Sequence, residues 1–379
     1  MKEMLGKIFG FIFKIFSIFT NIDSKKITFI MTHDDKFNGN IKYIYEEIKQ
    51  KYPKFKFNII SRKDYDINRI KSFSDFINLI KQGFKVYIIK NYHLATSKYV
   101  FLNNIFITAA YLKFKKDVKV VQVWHAIGTF KKFGEEYKPS EKIDQLQKRA
   151  NSIYTDVLVC SQKDIDVYSK AFNVPKEKVK AVGSPVCDLF DNQQRVQEIK
   201  NKIYNMYPQI QEKNVILYAP TFRDYDNDNM KILNYVEYIG ENLKDNNILL
   251  LRLHPHIYKK YNYQFKSKNI IDVSKYEDVN ELMIISDVLI TDYSSLFYEY
   301  TYLEKPILFF APDLEKYEKE RGFYHEYKNY VPGEIIFSAD DIIYKLNSSK
   351  YTNSSFEFKK NYFGCYKQKN LEKILDILK

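Results

Sequence analysis

Cysteine is scarce. The chain of 379 residues has three, Cys160, Cys187 and Cys365, widely spaced and never in a CxxC pair. That excludes a disulfide framework and a cysteine zinc site, and it fits a reducing cytoplasm. Proline and glycine number only ten and eleven, against 45% hydrophobic and 17% aromatic residues. Collagenous, low-complexity and disordered chains are thereby excluded. No uninterrupted apolar run of about 20 residues exists, so a spanning helix is not available. The most apolar stretch, Met1–Thr20, is broken by Lys7 and Lys14. Lys14 and the lack of a small-residue cleavage site also argue against a secretory signal. Zinc-finger, RNP and recognition-helix patterns are missing, which leaves charge as the sole pointer to nucleic acid. There is no short-period repeat and hence no solenoid.

What is present begins with charge: 60 Lys and Arg against 47 Asp and Glu, a net +13. The excess suits an anionic membrane surface or a phosphate-rich substrate. AT-rich coding, visible in the abundance of Lys, Asn, Ile, Tyr and Phe, also raises it. On a helix, Lys2, Glu3, Gly6, Lys7, Gly10, Lys14 and Ser17 share one arc, and Leu5, Ile8, Phe9, Ile12, Ile15, Phe16 and Phe19 the other. Phe13 is the exception. The pattern predicts a basic amphipathic helix lying in a membrane interface. The alternative is a helix docked on the domain behind it.

The rest alternates between strand and helix. Strands are expected at 26–31, 55–60, 85–89, 119–124, 156–160 and 179–182, then at 215–219, 248–253, 270–273, 288–291 and 307–310. Helical patterns separate them, and the last covers 368–378. Two successive arrays imply an α/β protein with two doubly wound domains. The expected organisation is a membrane-association helix at 1–22, domains at 23–190 and 191–365, and a C-terminal helix at 366–379.

Ligands of such domains bind at the carboxyl ends of strands, and four loops there carry chemistry. In VWHAIGTFKKFG, His125 ends a buried strand beside Gly128, Lys131 and Lys132. This places a histidine for acid–base work and lysines for an anion; a structural histidine with surface lysines is the plain alternative. In YAPTFR, Pro220, Thr221 and Arg223 follow a strand and offer a phosphate or base-edge contact, or simply a turn. Asp224, Asp226 and Asp228 lack the glycine and glutamate of a calcium loop. In LLRLHPH, Arg252 and His254 alternate and so face one side, an arrangement for phosphate. In DVLITDYSSLFYEY, Ser294 and Ser295 precede a helix, and Glu299 follows just over one turn later, within reach of ribose hydroxyls. A simple helix cap is the alternative.

These loops together resemble the CDP-glycerol glycerophosphotransferase family of teichoic acid synthesis. The likeness covers roughly 80–335 and includes DVLVCSQKD, GSPVCDLF and SDVLITDYSSLFYEYTYLEKPILFF. The form WHAxGxxKKFG, the length and the N-terminal helix are similar to the short primase branch. The resemblance implies a GT-B fold, two Rossmann-like domains facing a cleft. It implies His125 as base, His254 as a second essential histidine, and donor contacts at Pro220, Thr221, Arg252, Ser294, Ser295 and Glu299. Gly128, Lys131, Lys132 and Arg223 are candidates for phosphate or acceptor contacts. One departure stands out: after Gly183-Ser184-Pro185 the family usually has arginine, and here Val186 follows.

The implied reaction moves a polyol phosphate, glycerol phosphate first, from a CDP-activated donor to a hydroxyl of an undecaprenyl-diphosphate-linked sugar or a polyol-phosphate polymer, releasing CMP. No cofactor is firmly implied and the cationic side chains leave a divalent metal unrequired. The enzyme is expected as a peripheral protein on the cytoplasmic face of an anionic membrane, with no nucleic-acid partner. Competing readings are a CDP-ribitol phosphotransferase, a capsule glycosyltransferase of the same fold, a scaffold that kept the fold, and a nucleic-acid binder.

Overall fold

The computed structural model describes residues 2–65, 72–137, 141–261, 263–364 and 369–378. Cys365 lies outside the described residues. The chain divides into two compact units. The first comprises Met1–His125, Phe133–Pro185 and Lys369–Lys379; the second comprises Ala126–Lys132 and Val186–Gln368. The chain therefore passes between units directly after His125 and again after Lys132.

The first unit holds a parallel sheet ordered β2-β1-β3-β4-β5-β6. Its strands are β1 (Asp23–Met31), β2 (Lys56–Ser61), β3 (Ser97–Leu102), β4 (Lys119–Gln122), β5 (Asp156–Val159) and β6 (Val179–Ala181). The second unit's sheet is ordered β12-β11-β10-β7-β8-β9 and is also parallel throughout. Its strands are β7 (Asn214–Ala219), β8 (Asn247–Leu251), β9 (Ile270–Asp272), β10 (Val288–Thr291), β11 (Ile307–Phe310) and β12 (Glu334–Ile336). Central strands such as β8 and β10 are buried along their whole length. Helices cover both faces of such sheets, which is why these strands read as unbroken apolar runs. Strand order reverses between β1 and β3 in the first sheet and between β7 and β10 in the second. Chains leaving neighbouring strands in opposite directions open a crevice at those two points.

One expected strand is not one. Residues Lys85–Lys90 form a wide helical turn that continues α3 (Phe73–Phe84), after α1 (Lys2–Phe19) and α2 (Gly39–Lys51). The strand is the next β-rich run, Ser97–Leu102, which pairs with β1 and β4. KVYIIK and SKYVFL have similar local preferences. Tertiary packing decides, because Val86 is buried and Tyr87 meets Phe9 of α1 edge-on, at 5.7 Å.

The core of the first unit forms around Phe29, whose ring stacks on Phe101 at 5.5 Å and meets Tyr45 of α2 edge-on at 5.6 Å. Ile41, Ile44 and Ile48 of α2 pack there, as do Ile374 and Leu375 of the Asn370–Leu375 helix. Asn370 ties that helix down by donating to the Ser184 carbonyl at 3.0 Å. Gly183 is required beside it: its φ is +88°, and a Cβ would lie 1.8 Å from the Asn370 amide oxygen.

Helix α1 docks through the face that carries its two glycines. Gly6, Phe9, Gly10 and Phe13 are buried, and Ile8, Ile15 and Phe19 of the predicted apolar arc are exposed. The glycines explain the choice. A Cβ on Gly10 would come within 2.5 Å of the Tyr111 carbonyl oxygen, so only a bare backbone approaches this closely. Asn91 adds a hydrogen bond to the Phe9 carbonyl, 2.9 Å. The outer face keeps Met4, Ile8, Phe11, Ile15, Ile18 and Phe19 exposed beside Lys7 and Lys14. Among the described residues no helix is long and apolar enough to cross a membrane.

Candidate active site

His125 follows β4 of the first unit and is presented by a strained turn. Trp124 has φ +52°, a left-handed conformation that costs a non-glycine residue about 1–2 kcal/mol. The buried amide of Gln122 holds it there, with Oε1 accepting from the Trp124 N–H at 2.9 Å. The same amide donates to the Asn104 carbonyl (3.2 Å) and to the Tyr154 hydroxyl (3.0 Å). The indole is wedged against Phe133 and Phe172, at 5.1 and 5.2 Å. The result is a buried strand end from which His125 alone emerges to solvent. Its Nδ1 faces the Asn103 carbonyl at 3.2 Å. A carbonyl only accepts, so Nδ1 carries the proton and the lone pair of the neutral ring sits on Nε2. That is the tautomer of a general base.

The next seven residues belong to the second unit. Gly128 (φ +75°) lies flat against Tyr298, where a Cβ would come within 2.2 Å of the ring, so its place there is steric. Phe130 packs on Phe297 and Phe323, each at 4.9 Å, and its carbonyl accepts from the Tyr324 N–H at 2.9 Å. Thr129 bonds to His325 at 3.1 Å. Lys131 pairs with Phe323 as an isolated antiparallel bridge, and Lys132 is exposed. Burial pushes the Lys131 ammonium down to about 8, against the pull of Asp292.

At the β7/β10 crevice the tips are joined by one ionic hub. Arg223 is 6% exposed and donates from Nη2 to Asp292 (2.9 Å), from Nε to Asp313 (2.7 Å) and from Nη1 to the Thr221 carbonyl (2.6 Å). The guanidinium also lies over the rings of Tyr293 and Tyr317, at 4.7 and 5.2 Å. Most of its donors are thus taken up inside the protein, where they clamp the strand tips together. Asp292 Oδ1 accepts from the Thr221 N–H at 2.8 Å and the Tyr293 N–H at 2.6 Å. Burial pushes the Asp313 carboxyl up, but the hydrogen bond and charge of Arg223 outweigh it and hold Asp313 below the usual range. Asp224, Asp226 and Asp228, just beyond, are taken by Arg321, Lys260 and Lys316.

Around this hub lie the remaining candidates. Pro220 is buried, and the Thr221 hydroxyl is buried with no hydrogen-bond partner among the described residues. Ser294 Oγ accepts from the Leu296 N–H at 3.2 Å and caps the Leu296–Tyr302 helix, whereas Ser295 makes no side-chain cap bond. Glu299 sits on that helix. Burial pushes its carboxyl up to about 8, and its Oε2 is enclosed without a hydrogen-bond partner among the described residues. The neighbouring Cys187 thiol is raised by burial first and by the Glu299 charge second. After β8, Arg252 donates to the Val273 carbonyl (3.2 Å) and to the Ser274 carbonyl, holding the loop after β9. His254 is exposed, its ring 5.8 Å from Phe222.

Residues 12–378 match the family model described as CDP-Glycerol:Poly(glycerophosphate) glycerophosphotransferase. The chain belongs to this family. It is 30% identical over 368 residues to the teichoic acid poly(ribitol-phosphate) polymerase of Bacillus spizizenii, covering 96% of this chain but 57% of that protein. It is 30% identical over 334 residues to the teichoic acid glycerol-phosphate primase of Bacillus subtilis, covering 85% and 83% respectively. The solved wall teichoic acid polymerase TagF superposes with a TM-score of 0.77 at 24% identity, over 98% of this chain and 93% of that one. This last likeness is one of fold: two Rossmann-like units with parallel sheets.

Within the family pattern, Val186 is 2% exposed at the start of the Pro185–Asp191 helix, so no cation stands at that position. Asp292, Asp313 and Gln122 are site-forming residues that sequence reasoning did not single out. Asp292 and Gln122 lay within or beside recognised loops; Asp313 had no local signal. Removing one partner of a buried ion pair typically costs about 3–5 kcal/mol. Arg223→Ala is expected to destabilise the second unit by about that amount in denaturant unfolding. A loss below about 1 kcal/mol would show that the hub is dispensable.

Proposed function

We propose that the protein is a GT-B type CDP-polyol phosphotransferase of teichoic acid or related cell-surface polymer synthesis. It moves glycerol phosphate from a CDP-activated donor to a hydroxyl of a lipid-linked sugar or growing polymer, and CMP leaves. The observation that carries the reading is the presentation of His125, with its tautomer set by the Asn103 carbonyl, in a chain of this family. His125 Nε2 takes the proton of the acceptor hydroxyl as its oxygen attacks the β-phosphorus. The new O–P bond forms as the bond from that phosphorus to the bridging oxygen breaks, and that oxygen departs with CMP.

The donor belongs at the β7/β10 crevice. Thr221 and Glu299 offer enclosed polar atoms that lack partners among the described residues, and a nucleotide's ribose and base edges would satisfy them. Lys131, His254, Arg252 and the N–H groups beside Ser294 and Ser295 supply positive potential for the diphosphate, the main requirement of phosphoryl transfer. Relatives named for ribitol and for glycerol phosphate both match, and the uncharged Val186 is the position at which donor choice can be tested. The exposed apolar face of α1, with Lys7 and Lys14, fits a peripheral site on the cytoplasmic leaflet, where a lipid-linked acceptor resides.

Three outcomes are expected. His125→Ala should lower turnover by about 10²–10⁴ with an unchanged circular dichroism spectrum; near-normal CMP release would refute the base assignment. Affinity for CDP-glycerol should fall as pH rises through about 8, because Lys131 loses its charge and Glu299 gains one. Titration calorimetry giving the same affinity at pH 7 and 9 would contradict this. Phe11→Ser with Ile18→Ser should cut binding to anionic vesicles at least about tenfold, since each side chain forfeits roughly 1.5–3 kcal/mol of burial. Undiminished co-sedimentation would remove α1 from the membrane.

A further inference from the structure

The first unit has its own crevice, and the chemistry collected there differs from that of the second. Strand order reverses between β1 and β3, and the rim of that crevice carries Asp34 just past β1 and Asn103 and Asn104 directly after β3. His125 stands three residues beyond the adjoining β4. One hydrogen-bonded chain joins them. The Asn103 side chain donates to Asp34 Oδ2 at 3.1 Å, the Asn104 side chain donates to Asn103 Oδ1 at 2.9 Å, and the Asn103 carbonyl faces His125 Nδ1 at 3.2 Å.

Asp34 is the unusual member. It is half-buried, and burial pushes its carboxyl above the usual range, with Asn103, His33 and Arg62 opposing. The nearby Arg62 guanidinium binds Asp35 instead, from Nε at 3.2 Å, and only the Arg62 backbone N–H reaches the Asp34 carbonyl, at 3.0 Å. Asp34 thus has no salt-bridge partner, and its carboxylate has one hydrogen-bond donor among the described residues. An ionised carboxylate accepts about four. Partly desolvated and under-supplied, it is poised to take hydroxyl donors from a ligand.

We propose that Asp34 is an acceptor-binding residue: its carboxylate grips a hydroxyl of an uncharged sugar or polyol unit of the acceptor, next to the hydroxyl deprotonated by His125. The proposal rests on the transferase reading above. A phosphate is the wrong ligand here, because the carboxylate repels it and the Arg62 guanidinium is committed. Asp34 does not orient the base either, since the His125 Nδ1 proton goes to the Asn103 carbonyl rather than to a carboxylate. Donor and acceptor are thereby divided by charge, with cations in the second unit for the diphosphate and a carboxylate in the first for hydroxyls.

The test compares wild type, Asp34→Asn and Asp34→Ala in calorimetric binding of a disaccharide glycoside with a short alkyl chain, and separately of CDP-glycerol. Asp34→Asn keeps the size of the side chain and an oxygen for Asn103, which guards against misfolding. The expected result is at least a tenfold loss of glycoside affinity in Asp34→Ala, a smaller loss in Asp34→Asn, and unchanged CDP-glycerol affinity in both. Equal glycoside binding by all three proteins, or no binding by wild type, overturns the proposal. So does a shift of the His125 limb in the pH profile of kcat/KM, which would make Asp34 a positioning residue. Failure of the transferase reading itself looks different: wild type then releases no CMP from CDP-glycerol, whatever the glycoside does.

Discussion

The second unit depends on a single guanidinium. Arg223 ties the tip of β7 to the tip of β10 through Asp292, and both to the segment after β11 through Asp313. Without it two carboxylates would face each other in a shielded crevice, and each would have to take up a proton or find water. With it, the backbone around Thr221 and the Ser294-Ser295 turn are held in fixed register. A rigid frame of this kind lets other groups stay under-satisfied. Thr221 Oγ1 and Glu299 Oε2 are enclosed without partners among the described residues, a cost the surrounding ion pairs and aromatic packing offset.

The first unit solves a related problem with neutral groups. Holding His125 out of a buried strand end requires a left-handed tryptophan, and an amide side chain, Gln122, maintains it. A backbone carbonyl, that of Asn103, sets the tautomer of the imidazole.

Much of the fold was legible because buried parallel strands are continuous apolar runs. β7, β8, β10 and β11 are of this kind, and the candidates His125, Thr221, His254 and Ser294 each lie two or three residues past a strand, as the sequence suggests. The failures share a cause. KVYIIK and SKYVFL cannot be separated by local preference, and β12 is only three residues long. The ion pair of Arg223 with Asp313 has no local signal, because the two are 90 residues apart. Asp34 and Asp292 look like ordinary turn carboxylates until neighbouring strands bring Asn103 to the one and Arg223 to the other. On the wheel of α1, Gly6 and Gly10 fall on the polar side, yet their lack of side chain makes that side the closest-packing one.

The helix at Asn370–Leu375 has a consequence for synthesis. Ile374 and Leu375 complete a core whose other members, including Ile27 and Phe29, are made first. After Pro185 leaves the ribosome, the chain must grow by almost as many residues again before that helix exists. At about 5–20 residues per second this takes roughly 10–40 s. During that interval the first unit waits with an open apolar groove on α2, exposed to chaperones and to other nascent chains. The second unit, although translated later, extends only to Gln368 and so precedes that helix, and the order of completion can be the reverse of the order of translation.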